Sequence, residues 1–239
     1  MPPESKARLF GVRLDRLSWA ELDNYCQHAL LEDSPKQLVT ANGEILLKAA
    51  DDKKYAETLN GADLVIPEST NVAWVLALKG FPVKNITPGA DLVNRLARIA
   101  AKNQKSIFLL GAEEGIADKA ASKLRQTNPG LKIAGCSNSD PDNPYVSKQI
   151  RDSEADVVLV AYGAPAQEKW IATHKRELGA KILVGIGGVF DMLAGLTPRA
   201  PRLWRVLHLE WLWRLILQPS RIGRIWRAFG LKPHRTESF

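Results

Sequence analysis

The chain has 239 residues, 45% of them hydrophobic and 25% charged, which suits a packed domain and excludes a disordered or fibrous chain. Its formal charge of +7 comes entirely from the stretch after residue 197, where nine basic residues face two acids, so the preceding part is neutral. Two cysteines, Cys26 and Cys136, with no paired motif exclude a disulfide framework and a cysteine-based zinc site, and neither a secretory signal nor an apolar run of about 18 residues is visible, so a cytoplasmic location is expected.

Residues 8–14 read as a short strand, and Leu17 to Leu31 has helical spacing with Ser18 as its N-cap. Gln37 to Thr40 is a strand leading into Asn42 and a helix through Ile45 and Ala50. Ala62 to Pro67 is a strand ending at Glu68, followed by a helix to about Lys79. Pro88-Gly89 is a turn, and 91–102 a helix. Strand 106–110 closes at Gly111, helix 116–126 follows, and 131–134 is a strand before a polar loop over 135–144. Val157 to Val160 is a continuous β-branched run, the mark of a strand buried on both faces. It stops at Gly163-Ala164-Pro165, and a helix begins at Ala166 with Gln167 and Glu168 in its first turn. A last strand, 181–184, runs into Gly185-Ile186-Gly187-Gly188, ahead of Asp191. This βα alternation predicts a mostly parallel α/β sheet with helices on both faces.

In such sheets ligands bind at the carboxyl ends of the strands. The polar groups there are Thr40 and Asn42, Glu68, Gln167 and Glu168, and Asp191 behind its glycine turn. Glu68 suits a general base, with a first-turn helix acid as its alternative reading; Thr40 and Asn42 serve equally as N-caps. Gly187-Gly188 allows a diphosphate to approach the backbone, although a bare glycine turn explains it as well. Asp140-Pro141-Asp142 sits among turn formers and is read as a turn, so no metal site is expected.

The basic tail, 198–239, reads as a separate helical appendage. It holds four of the seven tryptophans, and Leu203 to Leu217 is too short and too charged to span a bilayer. After Pro219, Arg221, Arg224 and Arg227 recur on one helix face, and Ile222, Ile225, Trp226 and Phe229 on another. That is the pattern of an interfacial helix on an anionic membrane.

Several blocks together resemble the WecG/TagA/CpsF family of bacterial glycosyltransferases. They are Gly163-Ala164-Pro165-Ala166-Gln167-Glu168 with Trp170, Gly185 through Asp191, Arg199-Ala200-Pro201, Leu209 through Leu215, and Gln218-Pro219-Ser220-Arg221. A weaker block is Pro88-Gly89-Ala90-Asp91-Leu92. The resemblance implies a Rossmann-like catalytic domain over 1–197 and a membrane-contacting appendage over 198–239. It further implies an inverting transfer of a sugar, N-acetylmannosamine or a related hexose, from a UDP-sugar to a polyprenyl-diphosphate-linked saccharide in cell-wall or surface-polysaccharide synthesis. The enzyme would then be peripheral on the inner face of the cytoplasmic membrane, with no cofactor besides the UDP-sugar substrate. Carried onto this chain, the roles are Glu68 as base with Thr40 and Asn42 orienting substrate. Gly111, Gly163, Pro165, Gln167, Glu168, Gly187, Gly188 and Asp191 would hold the nucleotide sugar. Arg199, Arg202, Arg214, Arg221, Arg224 and Arg227 would meet diphosphate or membrane. The family's usual Asp-Gly stands here as Glu68-Ser69, its arginine before the PGxDL block falls near Ile86 with Lys84 the nearest cation, and its Gly-Tyr-Phe after Gly135 is missing.

Two other functions compete. A nucleic-acid-binding protein would use the Arg- and Trp-rich tail, but its apolar face is continuous and Leu-rich instead of a set of isolated stacking aromatics. An NAD-type oxidoreductase would need a complete glycine fingerprint and the acid after it, and this chain has neither. A homo-oligomer is compatible with the sequence.

Overall fold

The computed structural model describes residues 6–198 and Trp204; the expected appendage, with Arg199, Arg202, Arg214, Arg221, Arg224 and Arg227, otherwise lies outside the described residues. The chain opens with a hairpin, β1 (Lys6–Leu9) and β2 (Val12–Asp15), in place of the single strand expected there. Phe10 and Gly11 both take positive φ, 50° and 74°, which is the two-residue turn that matches strand twist. Phe10 stands where Asn or Asp is usual, so the turn was hidden. Helix α1 (Trp19–Ala29) follows, capped by Ser18, whose side chain accepts from the Glu21 N–H.

The remaining order is β3 (Lys36–Ala41), α2 (Gly43–Asp51), α3 (Lys53–Asn60), β4 (Leu64–Pro67), α4 (Thr70–Leu78), α5 (Gly89–Lys102), β5 (Ser106–Gly111), α6 (Ile116–Thr127), β6 (Lys132–Ser137), α7 (Val146–Asp152), β7 (Val157–Ala161), α8 (Ala166–His174), β8 (Ile182–Gly185) and α9 (Val189–Leu193). Helices α3 and α7 carry few apolar residues and were not expected. Strand β6 runs to Ser137, so the polar loop begins three residues later than its composition implied.

Among the described residues, six strands form one parallel sheet in the order β4-β3-β8-β7-β5-β6. Alternate residues of each central strand enter opposite layers. Val157 and Leu159 face α1, α5, α6 and α9, whereas Val158 and Val160 face α7 and α8. All four are fully buried, each contributing about 1.5–3 kcal/mol. This two-sided burial is why the run showed no alternation in sequence. The second layer continues under β3 and β4, where the hairpin, α2, α3 and α4 pack together.

The layers also locate a crevice. The helix after β8, α9, lies with α5 and α6, while those after its neighbours β3 and β7, α2 and α8, lie on the opposite face. Chain departing in opposite directions beside β8 leaves an opening at the carboxyl ends of these strands, the place where open α/β sheets bind ligands.

Candidate active site

One wall of the crevice is built from the ends of β3 and β4. Asn42 caps α2, its Oδ1 accepting from the Ile45 N–H at 3.0 Å, and its Nδ2 donates to Glu68 Oε2 at 3.2 Å. The other Glu68 oxygen, Oε1, accepts from the Gly89 N–H at 3.3 Å. The Glu68 backbone is fixed as well, its N–H donating to the Ala41 carbonyl. A half-buried carboxylate held at both oxygens and at its own backbone is a pre-aimed group. Asn42 is thus both the N-cap and a residue that orients Glu68.

Gly89 is a site residue that the sequence reading passed over as part of a turn. A Cβ there would lie 3.3 Å from Val189, 3.5 Å from Glu68 Oε1 and 3.7 Å from Thr40 Oγ1. Thr40, Glu68, the start of α5 and the start of α9 therefore converge on one point. Thr40 is buried, 4% exposed, so it lines the inner wall of this corner. The signal for Gly89 was present in the Pro88-Gly89-Ala90-Asp91-Leu92 block. Lys84, the nearest cation to the family's arginine position, is turned away: its Nζ meets Glu21 at 2.7 Å at the start of α1. With Ser18, that ammonium holds the Glu21 carboxyl down at about 2.

The wall formed by β7 and β8 is different. Gln167 is only 3% exposed and faces inward. Its Oε1 accepts from the Gly163 N–H at 3.1 Å and the Gly187 N–H at 3.0 Å, and its Nε2 donates to Glu168 Oε1 at 2.7 Å. One amide thereby ties the loop after β7 to the loop after β8. A Cβ on Gly185 would sit 2.7 Å from Gln167 Nε2, so the tight packing demands glycine there. Glu168 is 1% exposed and also accepts from the Tyr55 hydroxyl at 3.0 Å. Burial pushes its carboxyl above the usual range, against the lowering effect of the bonds from Gln167 and Tyr55. Burial and the adjoining Glu168 also push the Tyr55 phenol up.

The direct nucleotide-binding roles expected of Gln167, Glu168 and the Gly187 amide fall on groups that already have protein partners. In this structure all three are engaged by protein groups, with the two side chains beneath the surface. Strand-end polarity in sequence does not distinguish a side chain that points out from one that points in. Tyr55, on the unexpected helix α3, and Lys48, whose Nζ donates to the Ala164 carbonyl at 2.8 Å, complete this brace.

Gly111, at φ 91°, closes β5 against β7; a Cβ would meet Tyr162 at 3.0 Å and the Ala161 carbonyl carbon at 3.1 Å. Tyr162 in turn donates to the Ser139 carbonyl, anchoring the polar loop after β6. Within that loop the Asp140 carbonyl accepts from the Asn143 N–H, a turn, as the DxD stretch was read. Pro165 stands at the N-cap of α8. Gly188 stands at the start of α9, where Asp191, half-exposed, turns its carboxylate back so that Oδ2 is 3.3 Å from a Cβ built on Gly188. The structure thus gathers Thr40, Asn42, Glu68, Gly89 and Val189 in one corner, with Gly163, Gln167, Gly185 and Gly187 in the adjoining brace. Gly111 belongs to the rim farther along. Among the described residues no group of three His, Cys, Asp or Glu side chains is arranged to hold a metal.

A sequence model of the glycosyl transferase WecG/TagA/CpsF family matches residues 7–231, across both walls of this crevice and on through the appendage. The chain belongs to this family. Its relatives include the N-acetylglucosaminyldiphosphoundecaprenol N-acetyl-beta-D-mannosaminyltransferase of Staphylococcus aureus strain MRSA252, 30% identical over 224 residues that cover 92% of this chain and 88% of the relative. The protein of the same name from strain NCTC 8325 matches with the same identity and coverage. The protein is a glycosyltransferase of this family, and Glu68 marks the strand end where the resemblance placed the family's carboxylate. No described helix is long and apolar enough to cross a membrane.

Proposed function

We propose that this glycosyltransferase moves N-acetylmannosamine, or a closely related hexose, from a UDP-sugar to a saccharide carried on a polyprenyl diphosphate, with inversion at the anomeric carbon. The observation that carries the reading is the Glu68 carboxylate, held by Asn42 and Gly89 at the mouth of the crevice. The acceptor hydroxyl oxygen attacks the anomeric carbon, the bond from that carbon to the UDP oxygen breaks, and Glu68 takes the hydroxyl proton. Direct displacement by one nucleophile inverts the centre. The names of the staphylococcal relatives support the acceptor class and the sugar.

Asn42 and Gly89 keep the carboxylate aimed, which is worth most when the reacting atoms are already close. Thr40 lines the sugar corner. Asp191, Gly188 and the rim at Gly111 offer contacts to the nucleotide, and Gln167 with Glu168 supports them from beneath. The leaving diphosphate needs positive charge, for which the tail arginines Arg199, Arg202, Arg214, Arg221, Arg224 and Arg227 are the proposed source. Their interfacial pattern also recruits the enzyme to an anionic inner leaflet, where its acceptor resides.

The test is transfer from UDP-N-acetylmannosamine to a synthetic N-acetylglucosaminyl diphospholipid, with the product linkage read by NMR. A β-linked disaccharide, formed by the parent and lost in Glu68→Gln, is expected. Activity with other nucleotide donors only, or full activity in Glu68→Gln, would contradict the assignment.

A further inference from the structure

Helix α4 and the loop after it form an excursion from the end of β4. The chain leaves at Ser69, directly after Glu68, and returns at Thr87, whose N–H donates to the Pro67 carbonyl at 2.9 Å. Both ends of the excursion are therefore fixed beside the Glu68 mouth. Every residue from Val72 to Leu78 is apolar, yet only one side of the helix is covered. Val72, Ala73 and Leu76 are buried against the domain, whereas Trp74 is 57% exposed, Leu78 88% and Val75 37%. Phe81, 41% exposed, extends this surface, its backbone N–H bonded to the Leu76 carbonyl.

A helix apolar all round is expected to be buried on all sides. Isolated exposed apolar residues are ordinary, but these four are clustered within eight positions on one excursion, which marks a contact surface. The charge around them selects the partner. From Ser69 to Ala90 there is no acid and there are two lysines, Lys79 and Lys84, of which Lys84 is paired with Glu21 at the start of α1. The Arg16 guanidinium lies over the Phe81 ring, 5.5 Å from its centroid, and donates to the Pro82 carbonyl. Apolar side chains including a tryptophan, on a segment that has no acid of its own and with Lys79 and Arg16 as cations beside it, match the boundary between acyl chains and anionic headgroups.

We propose that the exposed face of α4, with Phe81, inserts into the surface of an anionic bilayer and holds the Glu68 mouth against it, independently of the basic tail. This rests on the proposed lipid-linked acceptor for its purpose, because it places the reacting carboxylate at the depth where a lipid's diphosphate lies. It does not rest on it for its test. The surface is fixed to the catalytic strand end through Ser69 and Thr87, so docking there sets the orientation of the mouth and not merely the local concentration of the enzyme.

The test uses the full chain with vesicles of phosphatidylcholine containing about a quarter phosphatidylglycerol, so that anionic headgroups are present. The double substitution Trp74→Ser with Leu78→Asp should weaken partitioning about tenfold, through lost apolar burial and a charge placed against lipid. Its thermal midpoint and its transfer to a short-chain, water-soluble acceptor should match the parent, while transfer to a vesicle-embedded acceptor falls. Leu31→Asp changes an equally prominent leucine, 77% exposed, that precedes β3 at the opposite end of the sheet, and should leave partitioning as it was. Unchanged partitioning of the double variant overturns the proposal, as does an equal loss in Leu31→Asp. So does a parent that sediments as a dimer which the double variant dissolves, since the face would then join two copies. Patch-dependent vesicle binding with no transfer to either acceptor would overturn the acceptor assignment and leave the docking surface standing. Transfer with patch-independent binding would do the reverse.

Discussion

The two walls of the crevice carry the same kind of residue and use it in opposite ways. At the ends of β3 and β4, Asn42 and the Gly89 N–H point their hydrogen bonds at Glu68, which stands half-buried at the opening. At the ends of β7 and β8, Gln167 spends its carbonyl oxygen on two glycine amides and its amide nitrogen on a fully buried Glu168. One wall keeps a carboxylate aimed at the cavity, and the other uses a carboxylate and an amide to lock two loops together. Polar residues at these strand ends therefore differ in what holds them: Glu68 stands half-buried at the opening, and Gln167 and Glu168 lie beneath the surface.

The sharpest way to break this comparison is at Glu68. Glu68→Gln preserves shape and removes basicity, so transfer should fall by roughly 10²–10⁴ with stability almost unchanged. Glu68→Asp restores the usual family residue and should keep substantial activity, read by initial rates with a lipid-linked acceptor.

The opposite wall should respond in stability. Gln167→Ala leaves the Gly163 and Gly187 amides and the Glu168 carboxylate short of a partner and opens a void against Gly185, at a cost of about 2–4 kcal/mol. Gly185→Ala forces a methyl into the Gln167 side chain and should cost about 1–3 kcal/mol. Urea titration measures both. Loss of activity in either without loss of stability would mean that this wall contacts substrate directly.

Asn42 joins the two behaviours. Asn42→Ala removes the α2 cap, about 1 kcal/mol, and one of the bonds orienting Glu68. The turnover rate should drop by about tenfold with donor KM little changed, because the base loses aim and not its substrate. A rise in donor KM at constant turnover would make Asn42 a donor-binding residue.

The smallest effect belongs to Glu168 and depends on pH. Burial raises its carboxyl in the folded state, so the folded protein holds that proton more tightly than the unfolded chain does. This contribution is complete below the ordinary Glu pKa of about 4.3 and is lost as pH rises through the raised folded value. Glu168→Gln lacks that loss, so its stability relative to the parent should grow as pH rises above about 4.3, the ordinary Glu value. Parallel pH profiles from urea unfolding would show that Glu168 is not protonated preferentially in the folded state.

How much of this was legible in the sequence follows the same division. Buried parallel strands write themselves as runs such as Val157 to Val160, so strand positions and the α/β class could be read directly. Helix α3 could not, because only Tyr55 and Leu59 of its residues are buried and the remainder, Ala56 apart, is polar. The hairpin turn was masked by Phe10 in a positive-φ position. The strand ends bring Thr40, Asn42 and Glu68 together, and Asn42 is the N-cap that its residue type allowed. Orientation was out of reach: Gln167 and Asp191 follow similar glycine turns, and only packing turns one side chain inward. Gly89 contributes a backbone N–H and a missing Cβ, so its one trace in the sequence is the Pro88-Gly89-Ala90-Asp91-Leu92 block.

The most direct measurement of the central claim pairs UDP calorimetry with urea unfolding in Glu68→Gln and Gln167→Ala. The two-wall account predicts that Glu68→Gln binds UDP and unfolds like the parent while transferring no sugar, and that Gln167→Ala loses stability and UDP affinity together. A Glu68→Gln protein that fails to bind UDP, or a Gln167→Ala protein of parental stability that has lost only UDP binding, would contradict it.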